Sequence, residues 1–162
     1  MISGDAASMR IELLVDHPEL IPAVGKLRWQ DWGHEPEPTE LSWWVDVTAS
    51  ESGRTDLPVT FVAIDAAGSA MGAVGLGEFE PDERRDRSPW VMGMIVQPEL
   101  RGRGLGRLLL GTLCAWTADH GYDRLWVATG DYAVGFYQAC GWTVAETFDR
   151  PGETVIVLTT TP

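Results

Sequence analysis

The chain has 162 residues, 44% of them hydrophobic, which indicates one globular domain with a substantial core. Its 24 acidic and 12 basic residues give a net charge of −12, the opposite sign from that of a general nucleic-acid binder. Two cysteines, three scattered histidines and the lack of a long apolar run exclude a disulfide scaffold, a metal cluster and a membrane span, so we expect a cytoplasmic protein with no metal, no nucleic-acid partner and no membrane association.

The chain begins with a short stretch rich in small residues. Residues 1–8 lack the basic region and apolar core of a signal peptide, and we expect a loose leader before a single domain at 9–162. Residues 10–15 predict a first strand. Asp16, with Glu19 three residues later, is the expected N-cap of a first helix.

Two amphipathic helices are predicted next, separated by a break at residues 33–38, with Thr39 as the expected cap of the second. They carry four tryptophans: Trp29, Trp32, Trp43 and Trp44. An aromatic wall beside carboxylates suits a cationic or aromatic amine. Tryptophans at helical spacing are more often core residues, and we assume a core position for three others: Trp116, Trp126 and Trp142.

A β-hairpin is predicted from strands at 58–64 and 71–79. The second strand alternates, so that Glu78 and Glu80 share one side with the apolar residues Val74 and Leu76. Either glutamate is a candidate general base, acting on an ammonium through water. A solvated acidic strand end explains the same residues equally well.

The central element is a near-continuous apolar run at Trp90–Val96, which predicts a strand buried on both faces. Pro98 ends it, because proline cannot donate to a sheet. A glycine-rich loop follows, and then a helix that ends near Gly121. Gly93 within the strand indicates either a bulge that weakens pairing or tight packing against a helix.

The loop predicts an anion site. Its seven residues, none of them proline, offer consecutive backbone N–H donors: Arg101, Gly102, Arg103, Gly104, Leu105, Gly106 and Arg107. Several belong to the first helical turn, where N–H groups lack intrahelical partners and the helix dipole favours phosphate. A Walker loop would need Lys followed by Ser or Thr, and a dinucleotide fingerprint would need glycine in place of Arg107, so neither pattern fits.

The remaining residues predict a strand at 125–128, parallel to the central strand because a helix joins the two. A short helix at 131–140 and a closing hairpin of strands at 142–148 and 154–159 complete the chain. The predicted order is β-α-α-β-β-β-α-β-α-β-β.

Two segments of the chain resemble motifs of one family, the GNAT superfamily of acyl-CoA-dependent N-acetyltransferases. The first is Val96-Gln97-Pro98 followed by the loop, in which Arg101, Gly104 and Gly106 fill the family pattern. The second is Phe136-Tyr137-Gln138-Ala139-Cys140-Gly141-Trp142. The resemblance implies an α/β (α+β) fold, with a mixed sheet of about six to seven strands flanked by about four helices.

The same resemblance implies acetyl-CoA as co-substrate. The loop at 101–107 would bind its pyrophosphate, and the backbone of Ile95 and Val96 would contact the pantetheine arm. Tyr137 is implied to contact the cofactor and to act as general acid, although it could instead only hold the short helix in place. Family members often carry asparagine where this chain has Gly130, so that contact is missing or replaced.

The sequence therefore predicts an N-acetyltransferase that moves acetyl from acetyl-CoA to a primary amine, in particular a small-molecule amine, by direct attack in a ternary complex. A GNAT-fold module that binds acyl-CoA as a sensor without turnover is the alternative, and a structural domain with an unused anion loop is a weaker third. The acceptor, the acyl length and the oligomeric state stay open, with a homodimer as one option.

Overall fold

The computed structural model describes residues 9–162, so the predicted leader at 1–8 lies outside the described residues. The described part of the chain contains seven strands: β1 (Arg10–Leu13), β2 (Val59–Ile64), β3 (Ala70–Gly77), β4 (Trp90–Val96), β5 (Leu125–Thr129), β6 (Thr143–Arg150) and β7 (Glu153–Thr160). It also contains four α-helices: α1 (Ile21–Trp32), α2 (Leu41–Ser50), α3 (Leu105–Asp119) and α4 (Asp131–Ala139). The predicted element order is confirmed.

The strands hydrogen-bond in the order β1-β2-β3-β4-β5-β7-β6. The pairs β1–β2, β2–β3, β5–β7 and β6–β7 are antiparallel, whereas β4 and β5 are parallel. In the parallel pair Trp90 lies opposite Trp126 and Val91 opposite Val127. A parallel pair requires a crossover connection, and α3 lies in that connection. The predicted mixed sheet flanked by four helices is thereby confirmed.

The chain divides into two compact units, which we describe separately. Among the described residues, the first comprises those up to Leu76 and Gly93–Leu113, and the second comprises Gly77–Met92 and Cys114–Pro162. The single domain expected for residues 9–162 stays a prediction. Within the described residues, no helix is both long enough and apolar enough to cross a membrane.

The core of the first unit forms where α1 packs on strands of the sheet. Its buried members come from α1, from the strands and from the two short turns before α1: Leu14, Leu20, Val24, Leu27, Val62, Ile64, Ala70, Ala73 and Ile95. Burying such aliphatic side chains contributes about 1.5–3 kcal/mol each relative to exposure. The apolar face predicted for the first helix is therefore the face that fixes α1 on the sheet.

The predicted start of the first helix is wrong. Two short 3-10 turns, Leu14–Asp16 and Pro18–Leu20, precede α1, which begins at Ile21 without a side-chain cap. The Asp16 carboxylate instead accepts a hydrogen bond from Arg54 at 2.6 Å, and this bond lowers the pKa of Asp16 below its ordinary value. The cap predicted for the second helix is also wrong, because Glu40 occupies the N-cap position and makes no side-chain hydrogen bond there.

The second unit is built around buried residues of β4, β5 and β7, with Trp90, Leu125 and Leu158 almost fully buried. The charged segment before β4 is tied to β6 by ion pairs. Arg84 donates two hydrogen bonds to the Glu146 carboxylate, at 2.6 and 3.1 Å from Nε and Nη2. These bonds lower the pKa of Glu146, so the pair stays ionised well below neutral pH.

Candidate functional site

The glycine-rich loop connects β4 to α3 in the first unit. A short 3-10 turn follows β4, and the loop then leads into α3 at Leu105. Gly102 and Gly104 have φ values of +77° and +88°, a region that L side chains rarely adopt. A Cβ built on either glycine meets no heavy atom within 4 Å, so open space surrounds this part of the backbone.

The loop presents backbone donors to that space. The first N–H of α3 with a partner one turn back is that of Leu108, which donates to the Gly104 carbonyl at 3.1 Å. In the part of the chain that the structure describes, the N–H groups from Gly102 to Arg107 donate to no backbone carbonyl. They lie at the positive end of a 15-residue helix, which favours an anion such as phosphate.

Arg101 lies at the start of the loop and is already engaged. Its backbone N–H donates to the Pro98 carbonyl at 3.3 Å, so the run of unengaged donors begins at Gly102 rather than at Arg101 as predicted. Its side chain donates from Nε to the Val96 carbonyl at 2.9 Å and from Nη2 to the Asp31 carboxylate at 2.7 Å. Arg101 therefore fastens the loop to β4 and α1, and its contact with a cofactor stays a prediction.

The C-terminal half of β4 carries the two residues predicted to contact the pantetheine arm. Ile95 is buried in the core of the first unit, and Val96 is half-buried. The next residue, Gln97, donates from its backbone N–H to Met71 at 2.9 Å and from its side chain to Ala70 at 2.6 Å. The end of β4 is thus held against β3, while the predicted role of Ile95 and Val96 is untested.

Gly93 in β4 shows one of the two features that its sequence position left open, tight packing against a helix, while a bulge that weakens pairing stays a prediction. Its φ of +60° marks a departure from extended backbone. A Cβ at this position would lie 2.5 Å from Nη2 of Arg28, so the strand also packs tightly against α1 here. The residues of β4 that pair with β5 are Trp90 and Val91, which precede this glycine.

Arg28 is the residue near β4 that the sequence analysis missed. Its side chain is 2% exposed and donates to the carbonyl of Gly93, to the hydroxyl of Thr48 and to the carboxylate of Glu51. Burial raises the pKa of Glu51 and the Arg28 charge opposes that shift. An arginine one turn after Val24 on the apolar face of α1 was the signal that could have drawn attention to it.

Tyr137 lies on α4 in the second unit and is 4% exposed. Its ring contacts Phe136 and Trp142 edge-on, with centroid distances of 5.0 and 5.4 Å. Burial raises the pKa of the Tyr137 phenol, and Tyr132 and Cys140 raise it further. The hydroxyl therefore keeps its proton at neutral pH, which a general acid requires. That role stays a prediction.

Glu78 and Glu80 also belong to the second unit, but not to a strand. β3 ends at Gly77, and both glutamates are exposed residues beyond its end. The alternation that placed them beside Val74 and Leu76 therefore does not apply, and that prediction is wrong. β3 is moreover buried at every position, because both of its faces are covered. A general-base role for either carboxylate stays a prediction.

The four tryptophans of α1 and α2 differ in their surroundings. Trp44 is buried and donates to the Pro38 carbonyl, with its ring 6.1 Å from Trp32 and 5.0 Å from Trp43. Trp29 donates to the Thr39 carbonyl. Trp43 is 44% exposed, so it presents an aromatic surface to solvent. Of the three tryptophans assumed to be core residues, Trp142 is buried. The other two, Trp116 and Trp126, are half-buried.

The predicted site residues fall into two groups. The loop, Ile95 and Val96 lie together in the first unit, whereas Tyr137, Glu78 and Glu80 lie in the second. The first group includes unengaged backbone N–H donors at a helix N-terminus. The second contributes a buried, protonated phenol and two exposed carboxylates.

Comparison with known proteins assigns the chain to a protein family and identifies solved structures with the same fold. The profile of the acetyltransferase (GNAT) family matches residues 16–142. A crystal structure of aminoglycoside 6′-N-acetyltransferase complexed with coenzyme A superposes with a TM-score of 0.77 at 12% identity, covering 94% of this chain and 96% of that one. Spermidine/spermine N-acetyltransferase SpeG from Vibrio cholerae gives 0.68 at 18% identity, with 96% and 93% covered. A GCN5-related N-acetyltransferase from Kribbella flavida gives 0.67 at 20%, with 97% and 99% covered. At these identities the likeness establishes the fold.

Proposed function

Because the chain belongs to the GNAT acetyltransferase family, we propose that it transfers the acetyl group of acetyl-CoA to a primary amine of a small molecule. The observation that carries the proposal is the run of backbone N–H donors from Gly102 to Arg107 at the start of α3. These donors suit a pyrophosphate, and the matching structure of an aminoglycoside acetyltransferase contains coenzyme A.

The residues of the loop fit such a ligand. The positive φ at Gly102 and Gly104 turns the chain so that its amides stay unengaged, and no side chain fills the space beside them. Arg103 and Arg107 are exposed and add positive charge to the same stretch. Each charge-assisted hydrogen bond to an anion contributes about 1.5–3 kcal/mol. We assign the pyrophosphate to this loop and the pantetheine arm to the backbone of Ile95 and Val96.

The chemistry needs a proton donor for the leaving sulfur. When bound, acetyl-CoA supplies a thioester, whose carbonyl carbon bonds to the amine nitrogen while the C–S bond breaks and its electron pair goes to sulfur. We propose that Tyr137 donates its Oη proton to that sulfur. The raised pKa of Tyr137 keeps the proton available throughout the neutral range, although it also makes the phenol a weaker acid.

The nitrogen loses one proton as the amide forms, and that proton restores the Tyr137 phenol after it has protonated the sulfur. An ammonium acceptor must also lose a proton beforehand, because only the neutral amine attacks. Glu78 or Glu80 could accept that proton through water, since both carboxylates are exposed after the end of β3. The acceptor that we favour is a small cationic or aromatic amine. The net charge of −12 attracts cations, the exposed ring of Trp43 can contact them, and neighbouring structures are named for aminoglycoside and spermidine acetylation.

The test is a turnover assay with purified protein. Acetyl-CoA is incubated with a panel of polyamines, aminoglycosides, aromatic amines and anionic amino compounds, while free thiol is detected and acetylated product is identified by mass. Amine-dependent thiol release with a cationic or aromatic acceptor supports the proposal. Tight acetyl-CoA binding without turnover on any amine would favour the sensor alternative, and acetylation of anionic acceptors alone would refute the acceptor class.

A further inference from the structure

The buried face of α1 contains one charged side chain among apolar ones. Arg28 follows Val24 by one turn and Leu27 by one residue, and all three are buried. Burying a guanidinium has a large desolvation cost unless it is paired and hydrogen-bonded. An apolar side chain of similar size would pack on this face without that cost, so the contacts of Arg28 deserve a functional explanation.

Those contacts point in two directions. Nη1 of Arg28 donates to Oγ1 of Thr48 at 3.1 Å and to Oε1 of Glu51 at 3.2 Å, on α2 and just after it. Nε donates to the carbonyl of Gly93 in β4 at 3.2 Å. Of the first two contacts, the Glu51 carboxylate balances the buried charge and the Thr48 hydroxyl accepts a neutral hydrogen bond. The third fixes the orientation of one peptide group in β4.

That peptide group lies where β4 leaves extended geometry. Gly93 has a φ of +60°, and Nη2 of Arg28 occupies the space that a Cβ would need. Downstream, Gln97 holds the end of the strand to Met71 of β3. The backbone of Ile95 and Val96 therefore lies between the Arg28 contact at Gly93 and the contacts that hold the end of the strand, which are the Gln97 bond to β3 and the Arg101 bond to the Val96 carbonyl.

We propose that Arg28 is a positioning residue for acyl-CoA binding, an inference that rests on the proposed function. Its hydrogen bond to Gly93 fixes the bend of β4 and so the direction in which Ile95 and Val96 present their backbone groups to the pantetheine arm. Arg28 itself touches neither the ligand nor the reacting atoms. Its effect should therefore appear in acetyl-CoA affinity rather than in the rate of the saturated enzyme.

The test compares Arg28→Lys with Thr48→Ala. Lysine keeps the positive charge beside Glu51 but lacks the Nε donor, so the bond to Gly93 is lost. We expect the Kd and KM for acetyl-CoA to rise about threefold to tenfold, as for one lost hydrogen bond, with kcat changed by less than about twofold. Thr48→Ala removes a different contact of the same guanidinium, so it should lower the thermal midpoint yet leave the Kd unchanged.

Gly93→Ala provides a second route that does not depend on Arg28→Lys folding well. Its Cβ would displace the guanidinium and would also strain a residue whose φ is +60°, so it should raise the Kd at least as much. If both substitutions act through one contact, the double variant should bind acetyl-CoA no more weakly than the weaker single variant. A wild-type Kd in folded Arg28→Lys, an equal rise in Thr48→Ala, or additive effects in the double variant would each overturn the inference. Wild-type protein is titrated first, and failure to bind acetyl-CoA at that stage would refute the proposed function as well.

Discussion

Replacing Gly104 with alanine adds one methyl group to a residue whose φ is +88°. The added Cβ meets no heavy atom within 4 Å, so crowding contributes nothing. An L residue in the left-handed region costs about 1–2 kcal/mol, and this strain is the whole expected effect on stability if the loop keeps its shape. If the loop relaxes instead, the N–H groups around Gly104 turn away from their common direction.

Gly111→Ala is the matched control, because Gly111 lies in α3 and its Cβ also meets no atom within 4 Å. Alanine inside a helix is favoured over glycine by about 0.5–1 kcal/mol. The same added atoms should therefore destabilise the protein at position 104 and stabilise it at position 111. Urea unfolding gives both free energies, with a difference of about 2 kcal/mol between the variants expected.

Gly104→Asp extends the test to the ligand. A carboxylate about 6 Å from one phosphate charge is repelled by about 3 kcal/mol at an effective dielectric constant of about 20. Water and salt at this exposed loop reduce the repulsion to about 1–2 kcal/mol, which corresponds to an affinity loss of about fivefold to thirtyfold. Calorimetric titration with coenzyme A measures it, with Gly111→Ala expected to bind as the wild type does. A folded Gly104→Asp protein with wild-type affinity would refute the assignment of the pyrophosphate to this loop.

Four further predictions concern the other site residues and the ion pairs. Tyr137→Phe should lower kcat by about 10²-fold with little change in acetyl-CoA affinity. The control Tyr132→Phe, at an 86% exposed position, should leave kcat unchanged. Wild-type turnover in Tyr137→Phe would exclude the acid role. Because the pKa of Tyr137 is raised in the folded state, kcat should show no loss from its ionisation below about pH 10, and stability should fall above that pH, where the unfolded chain loses the proton first. For a cationic acceptor, kcat/KM should decrease as the salt concentration rises. Glu78→Gln or Glu80→Gln should shift the pH–rate profile if that residue accepts the proton. Profiles identical to that of the wild type in both variants would exclude both residues as bases. The hydrogen bond from Arg150 lowers the pKa of Glu83 from 4.5 to about 2, so the stability that this carboxylate contributes is present above pH 4.5 and is lost as pH falls toward 2. Thermal midpoints of Glu83→Gln and wild-type protein should therefore converge on acidification, and a constant gap would contradict that linkage.

The parts of the fold that the sequence predicted correctly depend on local signals. The apolar run of β4, the glycines of the loop and the helical spacing of α3 each act within a few residues, and each element was found within about two residues of its observed ends. The parallel pairing of β4 and β5 followed from a general rule about helical crossovers. The unengaged backbone donors of the loop could be predicted because they are consecutive along the chain.

The errors arise where distant residues compete for a local group. Asp16 had the sequence context of an N-cap, but Arg54 lies within reach of its carboxylate and 38 residues away along the chain. The neighbours of Arg28 come from positions 48, 51 and 93, so a sequence pattern gave no indication that a buried cation would find partners there. The alternation that grouped Glu78 and Glu80 with apolar residues failed because β3 ends at Gly77.

The contacts of Arg101 have a consequence for the kinetics of ligand association. One guanidinium joins the first residue of the loop to the Val96 carbonyl and to the Asp31 carboxylate, and both contacts lie within the protein itself. The conformational entropy of this end of the loop is therefore lost when the protein folds and not when a ligand binds. Association of a phosphate-bearing ligand should then be limited by diffusion and orientation rather than by a slow rearrangement, giving a single kinetic phase whose rate rises linearly with ligand concentration.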